Sequence, residues 1–263
     1  MCGRYASFRE DQALADEFAV AAVADDVRLL PASWNIAPTD GVRMVVERAD
    51  RETGQIVRQL RVARWGLVPS WAKDPSVGNR MINARVESVP DKPAFARPFA
   101  TRRALLPADG YYEWQRPPQS SGQDAPGSPA ARGRAAPRKQ PFYIHPADDD
   151  VLALAGLYEF WKDPTKDDED PERWLVSATI ITRPASPALA HVHDRQPLAL
   201  RRPDWDRWLD PAVGADEARA LLAAEPPDLV AVPVSTGVNS VAHDGPELLE
   251  PVVVERAPAD PAS

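Results

Sequence analysis

The chain has a single cysteine among its 263 residues, so it can form neither an internal disulfide nor a cysteine-based zinc cluster. Disulfide-stapled secreted domains and zinc ribbons are thereby excluded. Long apolar runs are also lacking. Stretches such as 151–157 are too short to cross a bilayer, and Arg4, Arg9, Glu10 and Asp11 stand where a signal peptide would be apolar. No membrane association is expected, and the cytoplasm is the expected compartment. There is no phosphate-cradling Walker loop and no dinucleotide fingerprint, so no cofactor is expected. Basic residues are in deficit: 31 Lys and Arg against 39 Asp and Glu leave a net charge of −8, which argues against indiscriminate nucleic-acid binding. That deficit is uneven. Residues 60–103 carry nine basic and three acidic side chains, a strongly positive island in an otherwise acidic chain.

Proline is the residue in excess, at 29 positions, roughly twice its usual ~5% share. It is excluded from helix interiors and central strands, so long regular elements are not expected. Hydrophobic residues make up 44%, enough for one core, and a single domain over 2–254 is expected. Apolar spacing predicts helices over 11–20, 188–192, 204–210 and 215–224. Runs rich in Val, Ile, Leu and Tyr predict strands over 42–47, 56–67, 103–106, 141–145, 151–158, 174–182 and 229–234, the first two as a hairpin. Strands outnumber helices without a βαβ rhythm, which gives an α+β class. Segment 115–139, dominated by Pro, Ser, Gly, Ala and Gln, reads as a disordered loop; 162–173 reads as an acidic loop and 255–263 as a frayed tail.

The lone cysteine is Cys2. Removal of Met1 would leave it a 1,2-aminothiol, whose α-amine has a reference pKa of about 7.7–8.0 and whose thiol titrates near 8.5. Such a group has two chemistries open to it. The amine can condense with an aldehyde to an imine that the sulfur closes to a thiazolidine, or the thiolate can attack an amide with the amine as base. Gly3 lets backbone approach a ligand, and Arg4 offers a bidentate fork suited to phosphate.

Six ordered strings choose between them: Met1-Cys2-Gly3-Arg4-Tyr5, Trp34-Asn35-Ile36-Ala37-Pro38-Thr39, Arg64-Trp65-Gly66-Leu67-Val68-Pro69, Ile82-Asn83-Ala84-Arg85-Val86-Glu87, Asp109-Gly110-Tyr111-Tyr112-Glu113-Trp114 and His193-Asp194-Arg195-Gln196-Pro197. Together they closely resemble the SOS-response-associated peptidase (SRAP) family, whose members process abasic sites, and the likeness continues through 238–240 and 245–247. Departures are modest: Gln196 and Ser88 stand where the family often has a hydrophobic residue and Thr, and 115–139 is longer than usual. The resemblance implies one β-rich α+β domain, its mixed and antiparallel sheets curled into a barrel-like core with a few short flanking helices. It also implies a positively charged groove leading to Cys2.

In the reading the resemblance implies, the Cys2 amine and thiol capture the open-chain aldehyde of an abasic site as a thiazolidine. The partner is single-stranded DNA or a single-to-double-strand junction, the protein acts as a monomer, and link reversal and self-cleavage accompany the reaction. Imine chemistry needs a nearby proton carrier, and Glu113 and His193 fit. Glu113, among Tyr111, Tyr112 and Trp114, should have a raised pKa from partial desolvation. Asn83 can orient the amine or the sugar. Arg85, two residues on and on the same strand face, reaches phosphate, as does Arg4. Trp71 suits base stacking and Trp65 the core. His145, His191 and His243 read as structural. The His191-Val192-His193 pair lacks a second cluster, so no metal is expected. An amidohydrolase using the Cys2 thiol is the alternative; it accounts for the start of the chain but not for the Asn-Ala-Arg and His-Asp-Arg strings.

Overall fold

The computed structural model describes residues 2–50, 53–115 and 139–254. Almost all of the loop expected at 115–139, and the tail expected at 255–263, lie outside the described residues. The strands are β1 (Tyr5–Ser7), β2 (Ala22–Val23), β3 (Ser33–Ile36), β4 (Gly41–Ala49), β5 (Ile56–Trp65), β6 (Asn83–Arg85) and β7 (Arg103–Ala108). They continue with β8 (Gly110–Gln115), β9 (Gln140–Pro146), β10 (Leu152–Lys162), β11 (Trp174–Pro184), β12 (Arg195–Pro197), β13 (Ala199–Leu200) and β14 (Leu229–Pro233). The helices are α1 (Asp11–Glu17), α2 (Ala96–Thr101), α3 (Arg202–Leu209) and α4 (Ala215–Leu221). The class is α+β, as the sequence indicates. No helix among the described residues is long and apolar enough to cross a membrane.

The barrel closes through one short parallel contact. β5 pairs with β4, β4 with β7, β7 with β10 and β10 with β11, all antiparallel; β11 then returns to β5 in parallel at Ser177 opposite Arg64 and Ala178 opposite Trp65. Closure forces each strand to divide its side chains between inside and outside. Val42, Met44, Ala63, Trp65, Ala104, Leu106, Leu154, Ala178 and Ile180 form the inner core. Val45, Leu60, Leu105, Ala155 and Ile181 face outward under Phe18, Phe99, Trp205, Trp208 and Leu221 of the helical side. A second sheet, in the order β14-β9-β8-β1-β3, lays Tyr5, Ile36, Tyr111 and Ile144 against the inner core. Its far face carries Ala6, Tyr112, Tyr143, Val234 and Leu248.

Two expectations need correction. Segment 188–192 is a turn: Val192 N–H bonds Leu189 O with i−3 spacing beside the i−4 bonds of Ala190 and His193, and Pro187 precedes it. Its helical spacing reflects only the burial of Leu189 and Val192. Nor are the strands short. β10 and β11 each run eleven residues, because Pro146, Pro184, Pro197 and Pro233 sit at strand ends, where no ladder bond is lost. Glycine is required at the Gly66–Gly78 crossing. Gly66 has φ +123°, and a Cβ there would stand 2.6 Å from Gly78 O.

Arg103 belongs to the basic island but is not at the surface. Buried at the foot of β7, it donates to the carbonyls of Phe99, Ala100, Trp208, Asp210 and Val213, joining α2, α3 and the turn that follows. Arg103→Ala would orphan this ring of acceptors and leave a void. Urea unfolding is expected to show a loss of about 2–4 kcal/mol.

Candidate active site

β1 is an inner strand of the second sheet, pairing Tyr5 with Ile36 on one side and with Tyr111 on the other. That register delivers the residues before it to one mouth of the barrel. Cys2 is fully buried there, and its Sγ lies 3.8 Å from Arg4 O. Asn83 opens β6, held beside β11 opposite Ile180, and its Nδ2 donates to Cys2 O at 2.7 Å. The preceding residue is fixed too: the buried Trp65 donates Nε1–H to Ile82 O at 3.0 Å and meets Tyr5 edge-on at 5.2 Å. Burial pushes the Cys2 thiol far above its ordinary range, and the Glu113 charge adds to the effect, so the sulfur is protonated at neutral pH.

Tyr111 and Glu113 alternate along β8 and share the face directed at Cys2, whereas Tyr112 turns to the opposite core. Glu113 is 3% exposed; burial raises its pKa, against the pull of nearby positive charge that includes His193. The hydroxyls of Tyr5 and Tyr111 and the Asn83 Oδ1 are buried without a hydrogen-bond partner among the described residues. All three residues lie by Cys2, which adds to burial in raising the pKa of both phenols and whose carbonyl accepts from Asn83, so a bound substrate would supply the missing partners.

His193 follows the 187–192 turn. Its Nδ1 lies 3.0 Å from the Arg195 amide nitrogen and 3.0 Å from Asp194 Oδ1. An amide N–H can only donate, so in the neutral ring Nδ1 accepts and Nε2 carries the proton; protonating Nδ1 exchanges the amide for the carboxylate. Arg195 pins this turn, reaching both Glu87 and Thr182 O. The His-Asp-Arg and Asn-Ala-Arg-x-Glu strings thus hold each other in register.

Arg4 is tied to the protein through Nη1, which donates to Asn35 Oδ1 and Val238 O, each at 2.8 Å. Asn35 in turn donates to the carbonyls of Val238, Ser240 and His243. Arg4 lines a cavity of about 700 Å³ with Gly3, Pro38, Trp114, Lys139 and Asn239, and Trp114 Nε1 donates to Asn239 Oδ1 at 2.7 Å. Thr39, beside this cavity, has φ +82°, a strained value for a β-branched residue.

Cys2, Asn83, Glu113 and His193 converge, and Arg4 stands at the adjoining cavity. Arg85 is exposed on β6, on the face it shares with Asn83. Trp71 is 63% exposed and precedes Ala72, whose carbonyl accepts from Trp161 Nε1 near the outer end of β10. Asn35, Asn239, Tyr5 and Tyr111 have places at the site that sequence reasoning did not assign. Tyr5, Asn35 and Tyr111 lie within the strings already noted, but a string does not say which member braces another. The basic island is weaker than its composition: Arg103 is buried and Arg102 pairs with the buried Glu159. Among the described residues no group of three or more His, Cys, Asp or Glu side chains is placed to hold a metal.

The fold and the site together define a closed β-barrel domain with a thiol, a carboxylate, an imidazole and a carboxamide gathered at its amino terminus. The chain belongs to the SOS response associated peptidase (SRAP) family, whose model matches residues 1–241. It is similar to the abasic site processing protein YoqW of Bacillus subtilis, 32% identical over 95% of this chain and 99% of that one. It is also similar to the abasic site processing protein YedK of Escherichia coli, 28% identical over 96% and 100%. The abasic site processing protein HMCES of Gallus gallus is 32% identical over 84% of this chain and 66% of its own length. A crystal structure of a Bacteroides thetaiotaomicron protein shares the fold with TM-score 0.75, at 18% identity, covering 96% of this chain and all of that one.

Proposed function

We propose that the protein processes abasic sites in single-stranded DNA by forming a covalent link through Cys2 once Met1 has been removed. The observation that carries this reading is the burial of Cys2 beside Asn83 and Glu113, with His193 within electrostatic reach of Glu113, in a chain whose similar proteins are named for abasic sites. The sequence of steps follows from the electrostatics. A sulfur held as thiol is a poor first nucleophile, so the α-amine attacks the C1′ aldehyde. The carbinolamine loses water with proton transfer through Glu113 and His193. The thiol then adds across the C=N bond, its proton passing to nitrogen, to close the thiazolidine. The raised thiol pKa disfavours the alternative in which a thiolate attacks an amide. Asn83 orients the Cys2 carbonyl; Arg4, Arg85 and Trp71 bind the strand. Reversal of the link and cleavage of the Met1–Cys2 bond, the act the peptidase name suggests, belong to the same site.

The test is incubation with single-stranded DNA carrying a uracil converted to an abasic site, read on a denaturing gel and by intact mass. The expected product is a heat-stable band whose mass equals protein lacking Met1 plus DNA minus one water, absent with undamaged DNA. Retention of Met1, or a product only with undamaged DNA, would overturn the reading. Trp71→Ala is expected to weaken binding of the same strand by about tenfold, in line with one base–aromatic stack. Trp71 is exposed, so its melting temperature should not move.

A further inference from the structure

The barrel has a second mouth, and the same alternation that fills its interior dictates what lines that mouth. On β4 the inward residues Val42, Met44 and Val46 are followed by Arg48; on β5 Trp65 and Ala63 are preceded by Arg61. On β10 Leu154 and Tyr158 lead to Phe160, and on β11 Ile180 and Ala178 lead back to Val176 and Trp174. Arg102 stands one step before β7, in phase with Ala104 and Leu106. Four of the five strands thus end their apolar inner row in an arginine or an aromatic ring, and the fifth begins beside one. These side chains surround a cavity of about 890 Å³, with Arg97 of α2 on its rim. It lies about 20 Å along β11 from the Asn83 end, at the strand rise of ~3.3 Å per residue.

Its lining is rich in arginine and aromatic rings, and the carboxylates of Asp50 and Glu159 stand among them. Arg48 and Arg102 stand over the Phe160 ring at 4.8 and 5.6 Å, so their guanidinium planes form part of the wall. Arg102 is held by Glu159, whose carboxylate is 2% exposed and also accepts from Phe160 N–H at 2.7 Å. One arginine is neutralised in this way. Among the described residues no carboxylate lies within ion-pair distance of Arg61 or Arg97; Arg61 donates to Gln59 Oε1 at 3.1 Å. Trp174 is 48% exposed at the edge. Guanidinium forks facing a concave space take a phosphate, and a half-exposed indole beside them takes a flat ring.

We propose that this far mouth is a binding site for a nucleotide unit, a phosphate joined to an aromatic base, supplied as a free mononucleotide or as one unit of a single strand. Arg61 and Arg97 hold the phosphate, and Trp174 stacks on the base. The site shares no side chain with the Cys2 cluster and stands whether or not the covalent chemistry does.

The experiment uses the full chain with three probes: deoxyadenosine monophosphate, a short undamaged oligothymidylate and inorganic phosphate, followed by calorimetry and tryptophan fluorescence. Saturable binding of the mononucleotide or the oligonucleotide is expected. Arg97→Gln should weaken it by about tenfold, and Trp174→Ala by about tenfold with loss of the fluorescence quench. Both residues are exposed, so an unchanged melting temperature should accompany each loss. A response confined to the mononucleotide identifies a small-molecule site, and one confined to the oligonucleotide identifies a second strand contact. The proposal is overturned if neither ligand binds, if both variants bind within about twofold of the parent, or if inorganic phosphate binds as tightly as the nucleotide.

Discussion

Cys2→Ala is expected to abolish the heat-stable product on abasic DNA, a fall of at least about 100-fold, while strand binding changes by less than about threefold. The sulfur is the group that turns a hydrolysable imine into a ring, and nothing nearby replaces it, because Cys2 is the only cysteine in the chain. Cys2→Ser separates the two halves of the reaction. It keeps the amine, so an imine should still form and be trapped by borohydride, but the link should not survive heating. An extra residue placed before Cys2 should remove both products, because it converts the amine to an amide. If Cys2→Ala retained the heat-stable band, the attacking group would have to be sought elsewhere. The stability cost of this variant should be small, since it deletes one sulfur from a core already ordered by Tyr5, Trp65 and Tyr111.

What the sequence made legible, and what it did not, divides along physical lines. Long strands with continuous apolar rows could be read: β4 with β5 as a hairpin, and β10 and β11 apart from their outer ends. Short strands could not. β1, β3 and β6 are three or four residues long, too short for periodicity, and exist because their neighbours offer ladders, as when β6 pairs alongside β11. The cluster of Cys2, Asn83, Glu113 and His193 was legible only as separate strings, since the 81-residue step between Cys2 and Asn83 is closed by tertiary pairing. Charge was least legible. Arg102 and Arg103 add to the composition of the basic island, yet one is held by Glu159 and the other is spent on buried carbonyls. Arg48 lies outside that island, yet tertiary structure places it at the far mouth with Arg61.

Glu113→Gln is expected to slow link formation by about 100-fold or more without weakening DNA binding, because it removes the proton carrier while keeping shape. The pH dependence distinguishes this role from a structural one. Burial raises the Glu113 pKa, so the carboxyl holds its proton to higher pH than an exposed glutamate would. A step that needs the acid should therefore fall off as pH rises through that raised pKa, and the Gln variant should lose this limb of the profile. Stability should fall with pH in the same direction, but here the Gln variant should gain rather than lose. A carboxyl whose folded pKa exceeds its unfolded pKa contributes stability at low pH that is lost as pH rises through the folded value. The Gln variant carries no such loss. Its melting temperature should equal or exceed that of the parent, with the margin growing toward alkaline pH. A lower melting temperature together with an unaltered rate profile would make Glu113 a packing residue and leave His193 as the proton carrier beside Cys2. His193→Ala would then be expected to reproduce the full 100-fold loss.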